Sequence, residues 1–420
     1  MRLRALGIVA LTLALVISRS DKLCADDFDI RAGVGYDLIS QRFFLDSLEG
    51  TDSLLSSWAS SADYLDDLKG QFAVTWWPGS DRRTELAAGY EQTAEFIRLR
   101  LSNRSRLTLG HTRLDLDGEM EQRQRHRGTA DFGDTYLSGA LRAKLTTPVS
   151  KTTSLGFQVR GDGVSFRRPA DYSYNYSRVG GRVSMTKSLA GFSFVDTRLF
   201  VTTRQVPDSL PLNYVNAGVE SSLFGFFGDV ELDLFVRLEK KDYNKPSGKD
   251  DYTRFETNAR SKIDLGADWF GRPETEIELT RYSSTDPINA DYNRVGLALM
   301  FGREFDGLTI AAGPDLEFHE EQMTDLLNPG DFTEKGVRVD FDYMSFDRLF
   351  CSIESVTGFR DLTYDDDWQS DFTFQRLNLI TDTKMLSSVS LSVLFSAEWE
   401  WHPQERSQVY LLSSSLNYSF

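Results

Sequence analysis

The sequence predicts an all-β chain: a transmembrane antiparallel up-and-down β-barrel of about 18 strands, within a range of roughly 16 to 20, after a cleaved signal peptide. Three observations predict it. Period-2 alternation of apolar and polar residues recurs along most of the chain. Short turns flanked by aromatics alternate with longer, more polar connections. Beyond the amino terminus no long uncharged apolar run occurs, which excludes membrane-spanning helices but not a closed barrel, whose hydropathy signal per strand is weak.

The amino terminus reads as an export signal, with Arg2 and Arg4 ahead of an apolar run from Leu6 to Ile17. Cleavage is expected after Ala25, with Ser18 and Ser20 as alternative sites. The chain then divides into a signal peptide, 1–25, and a single barrel domain, 26–420, with no repeat unit or linker. Cys24 lacks the apolar-then-small context of a lipid-modified cysteine. Removal of the signal leaves Cys351 as the one cysteine, so stability has to come from the sheet rather than from an internal disulfide.

Composition fits the same class. There are 29 Phe, 16 Tyr and 7 Trp in a chain of only 40% hydrophobic residues, as expected when half of each strand faces a polar interior. A net charge of −16 excludes nucleic acid as a partner, since such binding needs positive surface. Four histidines without ligand spacing give no metal site, and no phosphate loop, dinucleotide fingerprint or nucleophile elbow is present, so no cofactor is expected.

In chain order, Ile30, Ala32, Val34, Tyr36 and Leu38 mark a first strand. From 40 to 69 strict alternation lapses, and this stretch reads as a long outer loop holding a short helix. Gln71 to Trp77 returns. Between Thr84 and Thr147 the apolar phase switches: Ile97, Leu99, Leu101, Leu107 and Leu109 are odd, whereas Leu114 and Leu116 are even. Extra strands or bulges both account for this, and Gly118 to Gly133 reads as a polar loop. Dyads are clear at Val230 to Leu238, at Phe255 to Leu265, at Val295 to Phe301, at Val337 to Tyr343 and at Val389 to Trp401. Short aromatic turns are expected around Trp76 to Asp81, Phe226 to Asp229, Trp269 to Pro273, Phe301 to Asp306 and Phe346 to Arg348. Tyr172, Tyr174 and Tyr176 read as an outer aromatic girdle, with a place inside the lumen as the alternative.

The carboxyl end carries a resemblance. Phe420, Tyr418, Leu416, Leu412 and Tyr410 share one face of a strand, and Ser419, Asn417, Ser415 and Ser413 the other. An aromatic-ended final strand resembles that of Gram-negative bacterial outer-membrane β-barrels of the porin-like class, where it serves as the assembly signal. The resemblance implies the outer membrane as location. It also implies outer-membrane lipids, lipopolysaccharide and the barrel-assembly machinery as partners, and a homotrimer by analogy with general porins.

The expected function is a channel for passive diffusion of small hydrophilic solutes or ions, preferring cations because of the net acidity. The candidate lumen-facing residues are Arg237 with Glu231 and Asp233, Arg260 with Glu256 and Asp264, Arg338 with Asp340 and Asp342, and Asp315, Glu317 and His319 on one strand face. They either brace the wall as cross-strand networks or line a constriction. The alternatives are a non-conducting barrel acting as scaffold, adhesin or receptor, and a barrel-wall hydrolase using His319; no serine accompanies that histidine, so an enzyme is not expected.

Overall fold

The computed structural model describes residues 28–46, 56–78, 83–93, 96–125, 135–167, 174–207, 209–244, 251–283, 290–322, 330–345, 348–363, 370–403 and 405–419. The export signal, Tyr172, His126 and the terminal Phe420 lie outside them. The described residues form twenty strands in one antiparallel sheet. In order these are β1 (Phe28–Asp46), β2 (Ser56–Trp76), β3 (Thr84–Gln92), β4 (Phe96–Leu109), β5 (Thr112–Arg125), β6 (Tyr136–Pro148) and β7 (Thr153–Phe166). Next come β8 (Tyr176–Ser188), β9 (Phe194–Gln205), β10 (Tyr214–Phe227), β11 (Val230–Tyr243), β12 (Tyr252–Gly266), β13 (Trp269–Tyr282) and β14 (Asp291–Phe305). The wall is completed by β15 (Leu308–Gln322), β16 (Phe332–Ser345), β17 (Leu349–Leu362), β18 (Phe372–Leu386), β19 (Val389–Trp401) and β20 (Glu405–Ser419). Each strand pairs with the next, and β20 pairs with β1 from Arg31↔Ser419 to Leu45↔Glu405. The barrel is therefore closed and leaves no free sheet edge along that seam.

The count is twenty rather than about eighteen, and two stretches depart from expectation, the first in strand length and the second in strand number. Within 40–69, residues 40–46 and 56–69 are strand, not loop and helix: they extend β1 and β2 into a long hairpin, paired with a register shift at Ile39/Ser40 and another at Phe43/Phe44. Residues 47–55 lie outside the described set. The apparent phase switch after Leu109 is a hairpin, not a bulge. A two-residue turn, Gly110-His111, makes opposed residues alternate in parity, so Leu107 faces Leu114 and Leu101 faces Met120. Strand β5 then runs through Gly118 to Arg125, where a polar loop was expected.

The two ends of the barrel differ. At one end, five hairpins turn in two residues, and four of them use left-handed backbone: φ is +63° at Gly110, +67° at Gly228 and +73° at Gly307, and positive at both Ala267 and Asp268. The turn expected at Trp269 to Pro273 thus falls earlier, at Ala267-Asp268, and Pro273 sits within β13. At the other end, eight of the ten connections run eight to ten residues. The amino-terminal end of β1 and the carboxyl end of β20 both lie at the short-turn end.

Alternation assigns the faces. Leu141, Val159, Leu199, Leu238, Val337, Val339, Leu416 and Tyr418 are exposed on one face. The opposite face carries the charges, and ion pairs there join strands that are not neighbours, such as Arg376 on β18 with Glu334 on β16. Such contacts are made on the concave side, so the charged face is the interior. With strands about 4.8 Å apart and tilted about 40°, twenty strands enclose about 40 Å between backbones, too wide for side chains to fill. Among the described residues, only wall strands, their connections and one 3-10 turn (Leu210–Leu212) are present.

Candidate functional site: the charged interior and its mouth

Register places all twelve candidate residues, Glu231, Asp233, Arg237, Glu256, Arg260, Asp264, Asp315, Glu317, His319, Arg338, Asp340 and Asp342, on the interior face. Their partners differ from those read along single strands. Arg338 Nη2 donates to Glu274 Oε2 at 2.6 Å and also approaches Asp340 at 3.5 Å and Asp315 at 3.9 Å. Arg272 pairs with Asp340, three strands away, and lies 2.7 Å from Glu274. Arg260 contacts Glu274 at 3.0 Å, not Glu256 or Asp264.

These side chains form a lid over Phe270, Met300 and Ala311, which are buried although they point inward. The sequence builds this pad with small neighbours. At Gly302 a Cβ would sit 2.4 Å from the Phe270 ring, and at Gly313 one would sit 2.0 Å from the Leu299 carbonyl oxygen. The four charged groups at the centre are only 12–14% exposed, so their mutual pairing offsets a real desolvation cost.

Elsewhere Arg237 pairs with Glu239, and Asp342 accepts from the Ser352 hydroxyl at 2.5 Å. Asp264 accepts the Gly266 N–H at 2.7 Å. Arg294 bridges Glu317 (2.8 Å) and Glu276 (3.4 Å). Glu231 and Asp233 make no ion pair among the described residues. His319 is stacked between Tyr292 and Phe332 and contacts Glu321 at 3.1 Å. That is the setting of a packed wall residue, and the acids Asp315 and Glu317 sit with arginines instead. Among the described residues no group of three metal-ligating side chains occurs.

Charge is unevenly distributed around the interior. The inward positions of β4 to β9 carry fourteen Arg or Lys and six Asp or Glu. Those of β11 to β16 carry eight and fifteen. Two recesses in the wall follow suit. One of about 520 Å³ includes Asp233, Glu274, Glu276, Asp315 and Glu317. The other, of about 460 Å³, is predominantly basic.

The mouth at the long-connection end is built on a repeat that the reading by strands missed. Phe96, Tyr136, Tyr176, Tyr214, Tyr252, Tyr292, Phe332 and Phe372 recur at steps of 38 or 40 residues, each the first or second residue of a strand that descends from the mouth. All eight fall on the interior face, Tyr176 included, which corrects its assignment to an outer girdle.

From the second onward, the preceding residue is Thr, Asn or Asp, and its side chain accepts a backbone N–H from across the connection. Phe166 donates to Asn175 (2.7 Å), Val206 to Asn213 (2.5 Å), Tyr243 to Asp251 (2.7 Å) and Tyr282 to Asp291 (2.6 Å). Glu321 donates to Asp331 (2.5 Å) and Leu362 to Asp371 (2.8 Å), and the Arg125–Thr135 bond is longer, at 3.3 Å. Side-chain oxygens closing a turn are the ordinary use of Asx residues. Here, however, the carbonyl of the same residue also accepts from the next hairpin: Ser283 N–H reaches Asp251 O at 2.7 Å and Thr363 N–H reaches Asp331 O at 3.0 Å. Thr135, Asn213, Asp251 and Asp331 each tie three strand ends together in this way.

The aromatics then stack inward. Tyr214 meets Tyr243 and Tyr252 meets Tyr282 edge to face, and cations cover several rings, Arg204 on Tyr176 at 4.6 Å, Lys241 on Tyr214 at 4.2 Å and Arg360 on Phe332 at 4.2 Å. Tyr136 donates its hydroxyl to Glu121 at 2.6 Å, and Tyr292 donates to Glu278.

The class these features define is the closed antiparallel up-and-down β-barrel, and comparison with solved structures agrees on that fold. The FrpB iron transporter of Neisseria meningitidis (F5-1 variant) superposes with a TM-score of 0.58 at 9% identity, over 94% of this chain and 82% of that one. The alcaligin outer-membrane receptor FauA of Bordetella pertussis gives 0.53 at 10% identity, over 93% and 76%. The siderophore receptor PirA of Pseudomonas aeruginosa gives 0.53 at 9%, over 93% and 80%. At these identities the likeness is one of fold. No protein-family model matches the chain, and no curated protein matches it.

Proposed function

We propose that the protein is a non-enzymatic outer-membrane channel for passive diffusion of small hydrophilic solutes and ions. One observation carries this reading: a closed wall whose apolar face is turned outward and whose charged face lines an interior about 40 Å across between backbones. Lipid and lipopolysaccharide surround the apolar face, the barrel-assembly machinery inserts the chain, and a homotrimer remains the analogy-based expectation.

The net charge of −16 favours cations in bulk passage, while the basic arc on β4 to β9 gives anions their own side of the interior. Single-channel recording of the refolded protein in a planar bilayer tests the reading. Steady conductance steps are expected, with a reversal potential in a salt gradient that reports modest cation selectivity. Insertion without conductance would overturn the channel reading in favour of a closed receptor or scaffold.

A further inference from the structure

The geometry points to a binding recess for multiply charged anions on the interior wall, in the short-turn half of β4 to β9. It rests on the channel reading only in that its ligand is taken to be a passing solute. The recess, about 460 Å³, spans six adjacent strands. One two-residue hairpin and two turns of four and five residues join these strand ends, so the side chains project from the wall rather than from the long connections.

Seven cations meet three carboxylates there. Asp117 is shared by Arg142 (2.7 Å) and Arg104 (3.3 Å), and Asp115 by Arg113 (2.8 Å) and Arg106 (3.4 Å). Asp196 pairs with Arg198 and also accepts from the Thr186 hydroxyl at 2.9 Å. One carboxylate cannot neutralise two guanidiniums, so each shared pair keeps a net positive charge. Arg182 has only a 3.6 Å approach to Glu220, and Lys144 makes no ion pair or hydrogen bond among the described residues. Simple subtraction leaves a surplus of four positive charges, and the arginines are open to the lumen: Arg104 is 67% exposed and Arg142 47%.

Planar guanidiniums with free N–H edges present paired donors that match carboxylate and phosphate oxygens two at a time. A single monovalent anion would satisfy one such fork. A ligand with two or more negative groups satisfies several at once, so the recess is suited to polycarboxylates or to phosphorylated or polyphosphate compounds. The shared chemistry is several anionic oxygens on one small hydrophilic molecule. The surrounding polar groups, Gln158, Ser184 and Thr186, add neutral hydrogen-bonding capacity without opposing charge.

The test uses the full-length refolded protein, with inorganic triphosphate and citrate as separate probes and acetate and spermine as comparisons. Lys144→Glu removes a cation that holds no partner, so it breaks no existing pair. Arg142→Glu removes a second, and Lys187→Glu on the outward face is the control. Titration calorimetry in detergent and block of channel current are read together, with gel heat-modifiability confirming that each variant is folded.

Saturable binding of triphosphate or citrate, weakened about tenfold or more by Lys144→Glu and not by Lys187→Glu, is expected, and which probe binds tells phosphate from carboxylate preference. Conductance without any effect of either polyanion, or equal binding of acetate, overturns the recess while leaving the channel reading in place. Binding without conductance supports the recess and overturns the channel reading instead.

Discussion

Arg272 and Asp340 form an ion pair across the inner wall although their strands, β13 and β16, are separated by two others. Three inter-strand steps are about 14 Å along the sheet. The side chains bridge that span because the intervening inward positions are small or flat (Ala298, Gly302, Ala311 and Gly313), with Met300 lying beneath. The wall is therefore cross-linked by side chains over and above its backbone ladder. Removing one of the two central arginines leaves two mostly buried carboxylates, Glu274 and Asp340, sharing the other, which is worse than losing an exposed pair. Arg338→Ala is expected to destabilise the barrel by about 1–3 kcal/mol, less than a fully buried pair because these groups face the barrel interior rather than a sealed core. Urea unfolding followed by tryptophan fluorescence measures this; an unchanged midpoint would show that the lid contributes nothing to stability.

The stitched mouth makes a separate prediction. Asp291→Ala removes the acceptor for the Tyr282 N–H, and Asp251→Ala the acceptor for the Tyr243 N–H. Each is expected to cost about 1 kcal/mol. Asn at either position keeps an acceptor oxygen and should restore most of the loss. The same unfolding assay separates the cases, since a pure charge effect would leave Asn as damaging as Ala.

Much of this architecture is legible in the sequence, and the failures have physical causes. The dyads of β11, β16 and β19 are plain because one face of each strand is apolar and the other carries most of its polar and charged residues. The hairpin at Gly110-His111 hid behind a parity change, since a two-residue turn reverses which numbers face outward. The sequence from 40 to 69 interleaves Asp, Ser and Leu without a period of two, so alternation gave no signal for the strand at 40–46 and 56–69. The arc of bases on β4 to β9 was invisible to total charge, because an acidic arc outweighs it. The 40-residue recurrence of an Asx or Thr followed by an aromatic was readable throughout. It escaped because the intervening strands share pattern but little sequence.

At the barrel seam, Gly33 and Gly35 on β1 face Asn417 and Ser415 on β20. A Cβ at Gly35 would lie 2.7 Å from the Ser414 carbonyl oxygen and 2.5 Å from the Lys69 side chain. The lysine can move aside, but the backbone oxygen is fixed by the ladder. Gly35→Val is therefore expected to impair closure, seen as loss of the heat-modifiable gel shift on refolding into lipid vesicles. Normal refolding yield would show that the seam has slack.

Selectivity is the property on which the two arcs can be played against each other. Glu276 and Glu317 flank Arg294 in the acidic arc, at 3.4 and 2.8 Å. Both oppose cation exclusion by a nearby guanidinium, and both lie on the wall of the larger recess. Glu276→Lys leaves Arg294 paired with Glu317, so the local structure keeps its main contact while the arc changes by two charges. If solutes sample the whole lumen, the reversal potential in a potassium chloride gradient shifts toward anion preference. If permeation is confined to the basic side, the substitution leaves the reversal potential where it was, and Lys144→Glu moves it toward cations instead. Charges on separate arcs lie farther apart than the Debye length of about 10 Å at 0.1 M salt. Their effects are then expected to be independent, and the double variant should shift by the sum of the two single shifts.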